Sequence, residues 1–408
     1  MGHHANARPL AGNSHGVSPV VGTLADMAEP VHQARRPPVL SHRTLNRTLL
    51  ARQQLLAREP GRAADLIDRL VGLQAQAPLA PYVALWSRLE GFAAAELGAL
   101  MSSRAYVRGH AMRSTIHLLS AADFPPLRAL SEPAVARNLT AATFAGHLHG
   151  ADLPGIAADL REQLTGGPLP RRRLVDRLSV SWGPQLAAAA GSAAAVLTPC
   201  VQATPRGVWG HNGPVAWATV EQWLGARLPE PVPSPAGFLL RYLAAFGPAS
   251  VADMRSWSGW TGLRAVVDGL RPQLRALRDE EGHELLDLPD APVADPDTPA
   301  AVRFLPEYDN VHFAFAHRAR INPHGHRVPL APGNGAAMGT LLADGVFAGV
   351  WRRNRDSDGS SAALTVTPFG ALDGPIVAQT HQEANALLAF LAPGADAIVR
   401  VTPGDRPA

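Results

Sequence analysis

The sequence predicts an α+β protein in which three tandem winged-helix modules precede a small C-terminal β-rich domain. Three observations carry that prediction. Apolar residues recur near helical spacing from residue 41 to about 104, through Leu45, Leu49 and Leu56, then Ile67, Leu70 and Val71, then Phe92, Leu97 and Leu100. The period then changes: "AYVRGHAMRSTIHLLS" (105–120) alternates polar and apolar residues across Arg113, Ser114, Thr115, Ile116, His117 and Leu118, as a hairpin strand does. Helices closed by a short hairpin is the winged-helix order, and a Gly-Pro pair marks two further rounds of it, at Gly167-Pro168 and Gly247-Pro248.

Residues 1–40 carry Gly, Pro, His, Ala and Ser without a sustained period and read as a disordered tail. The first module is expected over 41–150. In the second, 151–230, a helix at 154–165 is followed by "RRRLVDRL" (171–178), a helix through "QLAAAAGSAAAVLTPCVQ", and a hairpin in "TPRGVWGHNGPVAWAT". In the third, 231–290, "FLLRYLAAF" (238–246), "SVADMRSWSG" (250–259) and "TGLRAVVDGL" read as helices, and "LRALRDEEGHELLDL" as strand, turn, strand. The acidic, proline-rich stretch 287–300 is a linker. Strands are expected in "AVRFLPEYDNVHFAF", "GTLLADGVFAGVWRR" and "AALTVTPF", within a β-rich domain at 301–405 closed by a helix near 380–392.

Composition excludes several functional classes. At 408 residues the chain exceeds one ordinary core, and it has no apolar run of transmembrane length and no secretory h-region, so a cytoplasmic protein is expected. Cys200 is the single cysteine, which rules out a disulfide framework and a cysteine zinc site. None of the 16 histidines lies in an HExxH motif, and His147, His149, His324 and His326 read as surface residues, so neither metal nor cofactor is expected. All 37 basic residues are arginines. Arginine is the planar, bidentate donor suited to phosphate and base edges, and it supplies no amine for imine chemistry.

One short motif stands apart. In "GLQAQAP" (72–78), Gln74 and Gln76 follow an apolar helical run, bracketed by Gly72 and Pro78. Residues i and i+2 share a face only in extended backbone, so the pair either points both amides into one cleft or sits in a capped turn as two solvated glutamines. Other stretches also leave two readings open. Arg113, Thr115 and His117 either line a cleft or are the solvated face of a strand whose Ile116 and Leu118 are core. "AHRARINPHGHRV" (316–328), with Arg318, Arg320 and Arg327, is a hairpin able to enter a minor groove or an ordinary surface loop. Arg352 and Arg353 in "VWRRNR" are phosphate contacts or a solvated strand end.

The phrases "GLQAQAP", "RSTIHLLS" (113–120), "FGPASVADMRSWSG" (246–259), "LPEYDN" (305–310) and "PGNGAAMGTLLADGVFAGVWRR" (332–353) resemble, as a set, the winged-helix DNA glycosylase family that includes the azinomycin-resistance enzyme of actinobacteria. The match spans roughly residues 42–405. The resemblance implies a C-shaped tandem of winged helices and a β-domain around duplex DNA, with Gln74 and Gln76 catalytic. A related branch carries Gln-x-Asp, and this chain resembles the Gln-x-Gln branch. The implied partner is double-stranded DNA with alkylated guanine, bound by a monomer associated with the nucleoid. A neutral amide is a poor base, so two glutamines suffice only where alkylation has already made the leaving base cationic. The implied activity is a monofunctional glycosylase for bulky 7-alkylguanine adducts or interstrand crosslinks. The rival class is a winged-helix transcriptional regulator using helices 171–178 and 262–270, although no sensing domain or dimerisation heptad is visible.

Overall fold

Local signals start the first elements. In the computed structural model, Ser41 Oγ accepts from the Thr44 amide at 3.0 Å and caps α1 (His42–Arg52). The structure describes Met1 and residues 37–140, 147–329, 338–355 and 360–402. The expected tail therefore lies almost wholly outside the described residues, as do 332–337 of the last phrase. α2 (Ala63–Arg69) ends at a reversal through Val71 and Gly72, both with positive φ (55° and 90°), and Leu73–Gln74 then forms the short strand β1. After α3 (Ala80–Trp86) and α4 (Ala94–Ser102) comes a hairpin of β2 (Tyr106–His110) and β3 (Ile116–Ser120). Its tip differs from expectation: Arg113 and Ser114 occupy the turn in left-handed backbone (φ 54° and 57°), so the strand starts at Ile116.

α5 (Phe124–Arg137) and α6 (Leu153–Gln163) lead through β4 (Leu169–Pro170) to α7 (Arg171–Ser192), which is interrupted at Gly183-Pro184. The short α8 (Ala194–Leu197) is followed by β5 (Cys200–Gln202), β6 (Ala216–Thr219) and α9 (Val220–Leu224). Two expectations are corrected here. Cys200–Gln202 is a strand, because Pro199 interrupts the alanine-rich helix, and the hairpin uses it in place of a strand within 204–215. α10 (Ala236–Phe246), α11 (Val251–Ser258) and α12 (Leu263–Leu270) precede the hairpin of β7 (Arg275–Arg278) and β8 (Glu284–Asp287), the helix-then-hairpin order read from the sequence.

Sheet pairing changes what the hairpins mean. The strands of the first two rounds join in one six-stranded sheet of order β1-β3-β2-β5-β6-β4, through Arg108↔Gln202 and Gly109↔Val201. This places β1 at the edge of the sheet. The C-terminal sheet of β9 (Arg303–Leu305), β10 (Gly339–Ala343), β11 (Val346–Arg355), β12 (Ser361–Pro368) and β13 (Asp396–Val401) has the order β13-β12-β11-β10-β9. Its last pair is parallel because α13 (Gly374–Leu391) crosses between β12 and β13.

Long-range polar anchors unite residues 38–408 as one unit. Arg88, just after α3, forms a doubly hydrogen-bonded buried pair with Asp309 (2.9 Å each), and Arg52 does the same with Asp287 (2.8 and 2.9 Å). The linker runs along α1, where Thr48 Oγ1 accepts from the Ala294 amide and Arg47 Nε donates to the Thr298 carbonyl. Among the described residues no helix is long and apolar enough to cross a membrane.

Candidate active site

The Gly72 reversal delivers β1 to β3. A Cβ on Gly72 would lie 2.9 Å from the Leu118 carbonyl oxygen, in a backbone region that side chains rarely adopt, so the close approach needs glycine. Gln74 then pairs with His117 in antiparallel register, and the Ala75 amide donates to Ile116 O at 2.7 Å. The outer side of the edge strand is closed by Asn310. Its Oδ1 accepts from the Gln74 amide (3.2 Å) and its Nδ2 donates to the Gly72 carbonyl (2.8 Å).

Both glutamine side chains are held by their oxygens. Gln74, only 5% exposed, accepts from Arg113 Nη2 at 2.8 Å, and the exposed Gln76 accepts from the Ile116 amide at 3.2 Å. Because guanidinium and backbone N–H groups only donate, these contacts identify the facing atom of each amide as Oε1. Each oxygen keeps a second lone pair.

The same logic fixes His117. The Thr115 carbonyl can only accept, so His117 Nδ1 carries the proton it shares with that oxygen (3.0 Å), and Nε2 accepts from Arg113 Nη2 (3.3 Å). Burial, then the neighbouring Arg113 charge, pushes His117 down to about 3, so it is neutral at physiological pH. Arg113 is lowered to about 10 by burial. Its Nη1 bonds to the Trp257 carbonyl, and its guanidinium carbon lies 5.2 Å from the centre of the Phe313 ring. Left-handed backbone at Arg113 and Ser114 costs about 1–3 kcal/mol per residue. Their neighbours hold it: Asn138 Nδ2 donates to Ser114 Oγ (2.6 Å), and Gly259 approaches so closely that a Cβ would lie 3.1 Å from Arg113 backbone atoms.

Parts of four separated phrases, 72–76, 113–117, 257–259 and Asn310, thus meet at one place together with Phe313 just beyond the last of them. The fifth supports it from behind, since Thr340 Oγ1 and His312 Nε2 are 2.8 Å apart. The family model described as "DNA glycosylase AlkZ-like" matches residues 67–390, a span that contains all of these groups. The chain belongs to the AlkZ-like DNA glycosylase family. Its structure is similar to that of Streptomyces sahachiroi DNA glycosylase AlkZ, with a TM-score of 0.69 and 21% identity, covering 89% of this chain and 100% of that one. At that identity the likeness is one of fold. A comparison with curated proteins finds no match. Membership in the AlkZ-like family makes DNA the partner and sets aside the regulator reading.

The remaining sequence-predicted residues of this glycosylase fall into two groups. Thr115 is half-buried beside the site, its hydroxyl on the Met112 carbonyl (3.2 Å). Arg318, Arg327 and Arg352 are exposed. Arg320 is not: it is 5% exposed, donates to the Pro248 carbonyl at 2.7 Å and stacks 4.2 Å from the Phe315 ring centre, so its guanidinium is engaged in packing, where the sequence had offered it as a DNA contact. Arg353 is half-buried and donates to the Leu391 carbonyl at 3.0 Å, so its guanidinium is engaged at the end of α13. The 316–328 stretch contains no strand. Its tip is a turn closed by Asn322, whose side chain bonds both the amide and the carbonyl of His326 (2.9 Å each).

Sequence reasoning missed three features. Asn310 lay within a quoted phrase, but nothing in the sequence marked it as a partner of β1. Arg108, whose Nη2 donates to the Ala75 carbonyl at 2.7 Å, carried no signal because a strand position reads as apolar or solvated. The alternation Asp279-x-Glu281-x-His283 brings three potential ligands within 4.8 Å of one another. There each group already has a partner, Asp279 on His283 and Glu281 on His42, and the Arg320 guanidinium lines the same cavity.

Proposed function

We propose that this glycosylase hydrolyses the N-glycosidic bond of cationic alkylated purines, chiefly bulky 7-alkylguanine adducts or interstrand crosslinks, in repair and self-resistance to a genotoxic natural product. The observation that carries the reading is the pair of amide oxygens at the end of β1 and two residues beyond it, each tethered by one donor and with no second partner among the described residues. Water donating to the free lone pairs of Gln74 and Gln76 is held for attack on the anomeric carbon. Oriented proximity of this kind contributes several kcal/mol without a strong base.

The lack of a strong base hydrogen-bonded to the glutamines among the described residues supports the substrate class. His117 is neutral, but its Nε2 lone pair is taken by Arg113. Among the described residues no carboxylate is hydrogen-bonded to Gln74, Gln76, Arg113 or His117. Departure of an unmodified base needs more help than this, whereas a 7-alkylated guanine leaves as a neutral molecule.

The chain has no lysine, which leaves the N-terminus as the one amine able to form an imine, about seventy residues before the glutamines; water is therefore taken as the nucleophile and an intact abasic site as the product. The enzyme acts as a monomer, with Arg318, Arg327 and Arg352 on the phosphates. The test is incubation with duplexes bearing 7-methylguanine, a bulky 7-guanine adduct or a 7-guanine crosslink, read on denaturing gels with and without alkali. Strand breaks that need alkali are expected, with no borohydride-trapped complex. Release of unmodified bases, or breaks as fast as base release, would refute this chemistry.

A further inference from the structure

Four arginines are among the largest side chains buried below 2% exposure, namely Arg47, Arg88, Arg108 and Arg128. Three of them have a carboxylate partner: Arg47 with Asp344, Arg88 with Asp309, and Arg128 with Glu132. Arg108 has none among the described residues. It is 1% exposed, and its Nε and Nη1 lack any hydrogen-bond partner. Across the sheet it faces Leu118 and Gln202, and Gln202 Oε1 is also unpartnered. The nearby Arg206 charge adds repulsion to the desolvation that lowers Arg108 to about 10. An unpaired buried cation is strongly unfavourable, and an apolar residue of similar volume often replaces such a charge without loss of stability. Fold stability therefore does not account for Arg108.

The hydrogen bond made by its Nη2 does. Arg108 Nη2 donates to the Ala75 carbonyl, on the residue between the two glutamines. In a regular antiparallel ladder, opposed residues such as Ala75 and Ile116 exchange both N–H···O bonds. Here one is made, from the Ala75 amide to Ile116 O, but the reciprocal bond is not. The Ala75 carbonyl is taken by Arg108, and the Ile116 amide donates to Gln76 Oε1 at 3.2 Å. The guanidinium diverts one ladder bond so that the amide it frees can tether Gln76.

We propose that Arg108 is a positioning residue for base excision: by capturing the Ala75 carbonyl it keeps β1 from zipping fully onto β3 and so sets where Gln76 stands relative to Gln74. This rests on the glutamine reading above. Without Arg108, the Ala75 carbonyl accepts from Ile116, β1 lengthens by one pair, and Gln76 loses its tether.

The test compares Arg108→Met and Arg108→Lys with the wild-type chain. Single-turnover excision of a 7-guanine adduct is measured at saturating enzyme, with duplex affinity, melting temperature and hydrogen exchange of the Ile116 amide. For Arg108→Met, excision falls at least about tenfold while affinity stays within about threefold, melting is unchanged or higher, and Ile116 exchanges more slowly. Arg108→Lys keeps the buried charge but shortens the stem and loses the planar fork, and its rate falls as well. Wild-type excision in either variant, or a loss explained by unfolded protein, overturns the proposal. Gln74→Ala and Gln76→Ala run alongside. If they retain the wild-type rate the glutamine reading itself fails, whereas loss there with full activity in Arg108→Met sinks only the role of Arg108.

Discussion

Asn310→Ala isolates the outer clamp on β1. Asn310 gives two hydrogen bonds to the strand, at 3.2 Å from the Gln74 amide and 2.8 Å to the Gly72 carbonyl, both in buried surroundings. Truncation removes two bonds and leaves a donor and an acceptor without partners. At roughly 1–3 kcal/mol for each orphaned group, and with water entering part of the cavity, the local cost is about 2–4 kcal/mol. Because β1 is an edge strand whose ladder neighbour is β3, that cost falls on opening of the strand rather than on the whole fold. Each 1.4 kcal/mol is tenfold, so amide exchange across residues 72–76 should rise by about thirtyfold to several hundredfold, with a small change in global melting. Gln74 ends this strand and Gln76 follows two residues on, so single-turnover excision per folded molecule should fall in parallel. Exchange by mass spectrometry on peptides spanning 70–78, alongside gel-based excision, reads both quantities. Unchanged exchange in that segment, or faster exchange with a wild-type excision rate, would refute the argument that Asn310 holds the amides in place.

Three other outcomes are expected. Gln74→Ala and Gln76→Ala should each lower excision at least about tenfold, equivalent to about 1.4 kcal/mol of barrier, while duplex binding persists; equal single-turnover rates in both would remove the catalytic assignment. Acid should destabilise the fold: burial first, then nearby arginine charge, lowers His117 to about 3 and His110 to about 4, and burial lowers His312 to about 4. The unfolded chain binds these protons near pH 6.5 and the folded one does not. Stability is therefore complete above that value and declines toward pH 4 by up to about 1.4 kcal/mol per pH unit for each histidine, which thermal melts across that range would detect. Charge reversal at the exposed Arg318 or Arg327 should weaken binding to damaged and undamaged duplex alike and flatten its salt dependence, whereas Arg320→Met should alter melting and spare the salt slope. Affinity that is flat between about 50 and 200 mM salt would contradict a phosphate-driven interface.

Periodicity alone located much of the fold. The helices of α10, α11 and α12 and the strands of β7 and β8 lie where apolar spacing placed them, because each buries one face against its own neighbours. Chemistry legible in single residues was equally accessible. Gly72 marked the reversal ahead of the short strand Leu73–Gln74, and the all-arginine base set left no lysine amine regardless of fold. The irregular 204–215 loop and the paired strand at Cys200–Gln202 were harder, since a strand of three residues carries too little pattern to compete with an alanine-rich run beside it.

Tertiary structure decided which arginines are available and what surrounds the glutamines. Arg318 and Arg320 are two residues apart in one stretch, yet one is exposed and the other is buried against Phe315. A long amphipathic side chain fits either fate, and only the packed neighbours choose. The site itself is made of partners far apart in the chain: Asn310 lies 236 positions from Gln74, Trp257 lies 144 from Arg113, and Arg108 lies 33 from Ala75. Local pattern encodes what a residue does within its own element. These contacts arise only when edge strand, hairpin tip, helix end and loop close together, so the sequence could single out the two amides as candidates, and only the fold could supply the donors that hold them.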